Sequence, residues 1–136
     1  MRYLAIDYGT KQTGLAVCDR NETVVSPLAV LPTRDNLLKR ITEIIKQENI
    51  EAIVVGLPLN MDGTQGPQAR RTIQFAEALK KQSNIAVHLQ DERLSSFAAE
   101  DRLAASPLAK KKKREMLDAL AAAEILQAFL DSKREK

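Results

Sequence analysis

Tryptophan is absent from the 136-residue chain, cysteine and histidine occur once each, and the aromatics are two tyrosines and three phenylalanines. A single thiol, Cys18, forbids an intrachain disulfide and points to a reducing compartment, with the side chain expected in the core. His88 has no second histidine or cysteine near it and sits in an apolar stretch. It is expected as a packed or half-exposed strand residue rather than a base or metal ligand. So few aromatics offer no obvious platform for stacking single-stranded bases. No apolar run reaches the ~18 residues of a membrane helix, and the amino terminus reads as a strand rather than a cleavable signal. A soluble, cytoplasmic protein with no membrane partner is expected. Repeats, linkers and low-complexity segments are also missing, so residues 1–136 are expected to form one domain.

What is present begins with a mild positive charge, +3 with a pI near 9.1, which permits an anionic partner. Much of it lies in one block, Lys110, Lys111, Lys112, Lys113 and Arg114. Such a run is either a solvated helix start or a phosphate-binding face. A charged tail, residues 131–136, is expected to fray.

Hydrophobic periodicity divides the chain into elements. Residues 2–7, 13–19 and 22–31 read as three strands, the first two joined by a turn at 9–12, which suggests an antiparallel meander. Pro32-Thr33-Arg34-Asp35 introduces a helix with Leu37, Leu38, Ile41, Ile44 and Ile45 at helical spacing. Residues 50–57 form an apolar strand, 66–82 an amphipathic helix and 85–89 a last strand. Segment 94–105 reads as a short helix, broken by Ser106-Pro107 before a closing helix over 109–132. Two strand–helix units imply parallel pairing with right-handed crossovers. The expected architecture is α/β, a mixed five-stranded sheet of order βββαβαβα flanked by helices. The first, fourth and fifth strands would end side by side.

Three carboxylates stand where a structural acid is hard to justify. Asp7 closes the apolar run 3–6, and Glu92 follows the strand at 85–89, so both lie at strand mouths. Asp118 shares a helical stripe with Ala122, Ile125 and Phe129. Carboxylates among apolar neighbours lose hydration and need a cation or hydrogen bonds to stay ionised, and a divalent cation such as Mg²⁺ prefers oxygen ligands. Simpler roles compete at each position. Asp7 could cap a turn, Glu92 could start a helix or pair with Arg93 while Asp91 serves as the ligand, and Asp118 could pair with Arg114. Gly9, Thr10 and Gly14 are either a tight hairpin or a turn whose backbone N–H groups and Lys11 approach a phosphodiester. Residues 56–66, with Asn60, Asp62, Gly63 and Gly66, form a polar loop at another strand mouth, suited to positioning a substrate.

Four ordered stretches, AIDYGTKQTGLAV at 5–17, VVGLPLNMDGTQGPQA at 54–69, DERLSSFAAE at 91–100 and DALAAAEILQAFLD at 118–131, together resemble the YqgF (RuvX) family of the ribonuclease H-like superfamily. The resemblance implies a ribonuclease H-like fold and a metal-dependent endonuclease, a hydrolase acting on ester bonds. Such proteins are described either as processing the 5′ end of pre-16S rRNA in ribosome biogenesis or as resolving Holliday junctions. It places the catalytic and metal-holding acids at Asp7, Glu92 and Asp118, with Mg²⁺ or Mn²⁺ as cofactor. The preference for Glu92 over Asp91 comes from this match. Ala121 stands where related resolvases can place a fourth ligand, so one metal or two remain open. Nucleic-acid contacts are expected at Gly9, Thr10, Lys11, Asn60, Arg93, Lys110, Lys111 and Lys113. The partner is then pre-16S rRNA, alone or in ribosomal particles, or a four-way DNA junction. A monomer suits the first, and a junction needs a two-fold dimer. A non-cleaving RNA-binding assembly factor is the alternative from another class.

Overall fold

The computed structural model describes residues 1–94 and 110–135, with the side chains of Leu94 and residues 110–115 outside the description. In chain order the elements are β1 (Tyr3–Tyr8), β2 (Gln12–Cys18), β3 (Val25–Pro32), α1 (Leu37–Gln47), β4 (Ala52–Leu57), α2 (Pro67–Ser83), β5 (Ala86–Asp91), a 3₁₀ turn (Glu92–Leu94) and α3 (Lys110–Arg134). The βββαβαβα order is as expected; the short helix expected over 94–105 falls almost wholly on residues 95–109, outside the described residues. No helix among the described residues is long and apolar enough to cross a membrane.

The five strands form one sheet in the order β3-β2-β1-β4-β5. The meander β1–β2–β3 is antiparallel, and β1, β4 and β5 run parallel. Strand alternation gives the sheet two faces. Leu4, Ile6, Leu15, Val17, Ile53 and Val55 bury one face against Leu37, Ile41 and Ile45 of α1 and Phe75, Ala76 and Leu79 of α2. Tyr3, Ala5, Ala16, Cys18, Ala52 and Val54 bury the other against Ala122, Ala123, Ile125, Leu126 and Leu130 of α3. Cys18 is in that core, its Sγ accepting the Tyr3 N–H at 3.3 Å. His88 lies exposed on the edge strand β5, with its ring 5.2 Å from that of Phe129.

Two local expectations are corrected. β3 begins at Val25 rather than near residue 22, because the Asp19 carboxylate accepts the Thr23 N–H at 2.7 Å, the Thr23 hydroxyl at 2.6 Å and the Val24 N–H at 2.9 Å. These bonds fold 19–24 into a turn with Glu22 at φ 59° and hold the Asp19 carboxyl down at about 2. The tail does not fray at Asp131 either. Lys133 Nζ donates to the Tyr3 hydroxyl at 2.8 Å and to Glu22 at 3.0 Å, and Arg134 donates to the Glu22 carbonyl. The last turn of α3 is thereby tied to β1 and the β2–β3 turn.

Candidate active site

Because β1, β4 and β5 are parallel, their carboxyl ends share one edge of the sheet, and the turns leaving that edge converge. Alternation along β1 puts Asp7 on the same face as Tyr3 and Ala5, beneath α3. Its partner across the antiparallel ladder is Gly14 of β2. Glu92 is the first residue past β5 and begins the 3₁₀ turn. Asp118 comes from α3, which can lie close to the sheet because small residues line the contact. A Cβ built on Gly14 would stand 2.0 Å from the Asp118 carbonyl oxygen. On β4, a Cβ at Gly56 would stand 2.4 Å from Ile125 Cδ1 and 3.3 Å from Glu92 Cδ. Glycine at 14 leaves room for the helix backbone, and glycine at 56 leaves room for Ile125 and the Glu92 carboxylate.

Asp7 and Glu92 are brought into a direct side-chain hydrogen bond, and the Asp7 charge acts on Asp118 through space. Burial first, then the bond to Glu92 and its charge, push the Asp7 carboxyl up to about 8. Burial and then the Asp7 charge raise Asp118 above the ordinary carboxylate range. Asp7 therefore holds its proton near neutral pH, hydrogen-bonded to Glu92. Among the described residues, no three acids are already closed into a ligand cage. The donor set nonetheless suits a hard divalent cation: it is all oxygen, partly desolvated, and its upward shifts express an unmet need for positive charge.

Two open cavities flank the acids. One of about 360 Å³ is lined by Gly9, Thr10, Lys11, Gln12 and Asp118. The other, about 320 Å³, is lined by Pro58, Leu59, Met61, Glu92 and Arg93. The first rests on a stiff hairpin. A Cβ on Gly9 would meet the Gln12 carbonyl oxygen at 2.2 Å, and Thr33 clamps the turn by donating its hydroxyl to the Gly9 carbonyl at 2.8 Å and its N–H to the Lys11 carbonyl at 2.9 Å. Lys11 takes part in none of the ion pairs among the described residues.

The second cavity is braced differently. Asp91 lies in β5, where its carboxylate grips the Arg93 guanidinium at 2.6 to 3.1 Å. Asp91 is thus the partner of Arg93 and is lowered by it, while Glu92 meets Asp7. The same guanidinium donates to the Met61 carbonyl at 3.1 Å, so Arg93 fastens the 58–63 loop. Asn60 Nδ2 donates to Thr64 Oγ1 at 3.0 Å, again a bond within the loop. Thr33 is a site-shaping residue that sequence reasoning did not single out, and no local signal marks it, because it works on Gly9 and Lys11, more than twenty residues earlier in the chain. Asp91, weighed as a ligand, is instead the brace of Arg93, and Gly56, read as part of a loop, ends up making room for Ile125 and Glu92. Lys110, Lys111 and Lys113 lie on the first turn of α3, four or more residues before Asp118, and their side chains are outside the described residues.

Gly56→Ala is expected to displace the Glu92 carboxylate and the fully buried Ile125, costing about 1–3 kcal/mol as an overpacked site. Denaturant melts would read that cost, and hydrolysis assays at a temperature where the variant stays folded should find at least a tenfold loss. A variant as stable and active as the parent would remove Gly56 from this account.

A mixed β3-β2-β1-β4-β5 sheet with acids at the mouths of β1 and β5 and a third on the closing helix defines a ribonuclease H-like domain. Resolvases with known structures share the fold. The fowlpox virus Holliday junction resolvase superposes with a TM-score of 0.61 at 13% identity, over 97% of this chain and 99% of that one. RuvC of Thermus thermophilus in complex with Holliday junction substrate gives 0.61 at 16% identity, over 98% and 96%. At the level of sequence, the profile described as RuvX: Holliday junction resolvase matches residues 1–132, and the chain belongs to the RuvX family. Relatives named "Putative pre-16S rRNA nuclease" include those of Geobacillus kaustophilus, 44% identical over 98% of this chain and all of the relative, and Bacillus cereus, 42% identical over the same shares.

Proposed function

We propose that this domain is a metal-dependent endonuclease that hydrolyses phosphodiester bonds in the 5′ region of pre-16S rRNA, free or in ribosomal particles. The observation that carries the reading is the hydrogen-bonded Asp7–Glu92 pair with Asp118 beside it, set between two cavities at one sheet edge. An acid pair held at such cost in charge and burial marks a functional site more often than a structural one. RNA is favoured over a DNA junction because the relatives named for pre-16S rRNA are above 40% identical along the whole chain, whereas the resolvases of known structure share the fold at 13–16%.

Asp7, Glu92 and Asp118 would hold the cation, Mg²⁺ or Mn²⁺. When bound, it would lower the pKa of an attacking water and offset charge developing on the phosphate. The protein's own part is positioning. Gly9, Thr10 and Lys11 line the cavity beside Asp118, and their backbone N–H groups and the Lys11 ammonium suit a phosphate there. Arg93, held by Asp91, keeps the 58–63 loop at the far wall. The Asp7 proton must leave before all three carboxylates bind a cation, so metal affinity rises with pH toward about 8.

The test is incubation with Mg²⁺ or Mn²⁺ on a labelled pre-16S 5′ RNA and a labelled four-way DNA junction, with Glu92→Gln alongside. Cutting of the RNA, reduced at least a hundredfold in Glu92→Gln, is expected. Cutting of the junction alone would replace this reading with a resolvase, for which the family description provides the precedent. Tight, metal-independent, steeply salt-dependent binding without cutting would make the protein an assembly factor.

A further inference from the structure

The sheet edge that carries Asp7 has a second side. Tyr8, the next residue, faces the α1 and α2 layer, where its ring stacks on that of Phe75 with centroids 4.3 Å apart and planes 9° apart. This pair borders an open cavity of about 490 Å³ whose walls include Thr33, Arg34, Asn36 and Lys39. The volume is in the range of ligand pockets. No lining residue is acidic. Arg34 and Lys39 are both exposed and join none of the ion pairs among the described residues. The Asn36 side chain makes no capping bond to α1.

A mixed wall in which the Tyr8 ring adjoins polar groups and two uncommitted cations suits an anion with a flat body, and it disfavours a metal ion or a basic peptide. Position narrows the choice further. Tyr8 follows Asp7 at the end of β1 on the opposite face of the sheet, so a polynucleotide with a phosphate over the acids need only round that strand end to reach this cavity. We infer that the cavity between α1 and α2 is a subsite for the single-stranded flank of the substrate. Arg34 and Lys39 hold a phosphate there, and the Tyr8–Phe75 wall receives the neighbouring base, the combination that single-strand binders use. The class of occupant rests on the nuclease reading; the cavity and its charge do not.

Binding in EDTA separates the two. The full chain carrying Arg34→Glu and Lys39→Glu is compared by fluorescence anisotropy with the parent on a labelled single-stranded RNA of twelve nucleotides. A control carries Lys46→Glu and Lys80→Glu, the same change of charge on exposed positions late in α1 and α2. The cavity variant should bind about tenfold more weakly, with a salt slope reduced by about 0.7, the value for one lost phosphate contact on a single strand. The control should lose less than about threefold. In the parent, a 4-thiouridine version of the RNA should cross-link to peptides containing Tyr8 or residues 33–39. Equal weakening by the two variants, or cross-links confined to other peptides, would overturn the subsite. A parent that binds in this pattern yet never cleaves would overturn the nuclease reading and leave the subsite standing.

Discussion

Asp7→Asn is expected to abolish metal-dependent cleavage, by a factor of at least about 10³, while making the metal-free protein more stable. Both effects have one cause. The native fold holds the Asp7 carboxyl near 8, against about 3.9 in an unfolded chain, so between these values the folded state binds more protons than the unfolded one. Stability from this group is complete below about pH 4 and is lost as pH rises through about 8. Asparagine has no charge to desolvate and can still bond to Glu92, so the variant's stability should be nearly flat over that window. At pH 8 the gain should be about 2 kcal/mol, below the full linkage value because water reaches the open cavities, or about 6 °C in Tm. Added Mg²⁺ should raise the Tm of the parent but not of Asp7→Asn. Thermal melts at pH 5, 6.5 and 8, with and without Mg²⁺, give the comparison. A variant less stable than the parent at pH 8 would mean that Asp7 is a structural turn cap.

Gly14→Ala should be the most damaging single methyl in the molecule. The added Cβ would lie 2.0 Å from the Asp118 carbonyl oxygen, 2.2 Å from its carbon and 2.8 Å from the Ala119 nitrogen. All three are backbone atoms, so no change of rotamer relieves the clash and α3 must lift from the sheet. The expected cost is about 3 kcal/mol, the upper end for overpacking, or roughly 10 °C in Tm. Activity should fall a further hundredfold at temperatures where the variant is folded, since a shift of about 1 Å in a catalytic group is enough for that. Gly63→Ala is the control: Gly63 has φ 88° but its nearest contact to a built Cβ is 3.7 Å, so it should lose about 1 kcal/mol from backbone strain alone. A Gly14→Ala protein that melts and cleaves like the parent would show that α3 does not depend on this approach.

The same glycine marks where the sequence stops being legible. Gly14 reads as part of a glycine-rich hairpin with Gly9, and Gly9 does serve that turn. Gly14 instead clears the path of a helix more than 100 residues later, a contact with no trace in its neighbours. Asp91 and Glu92 present a similar limit. Adjacent acids after a strand are equivalent by pattern, yet β5 extends to Asp91 rather than ending at 89, and the extra pairs direct one carboxylate to Arg93 and the other to Asp7. The tail at 131–136 reads as frayed because charge predicts solvent. It is held by Tyr3 and Glu22, which its own composition cannot reveal.

Periodicity by itself determined the βββαβαβα order, the mixed pairing of the strands and the edge at which acids would gather, because alternation and helical spacing are local properties read within a few turns of chain. Only the tertiary structure decided how near the acids stand, which of two neighbours faces Asp7, and that Asp7 holds its proton to about pH 8. Those depend on burial and on charges from β1, β5 and α3 meeting in space, and both fall off with distance through the fold rather than along the sequence.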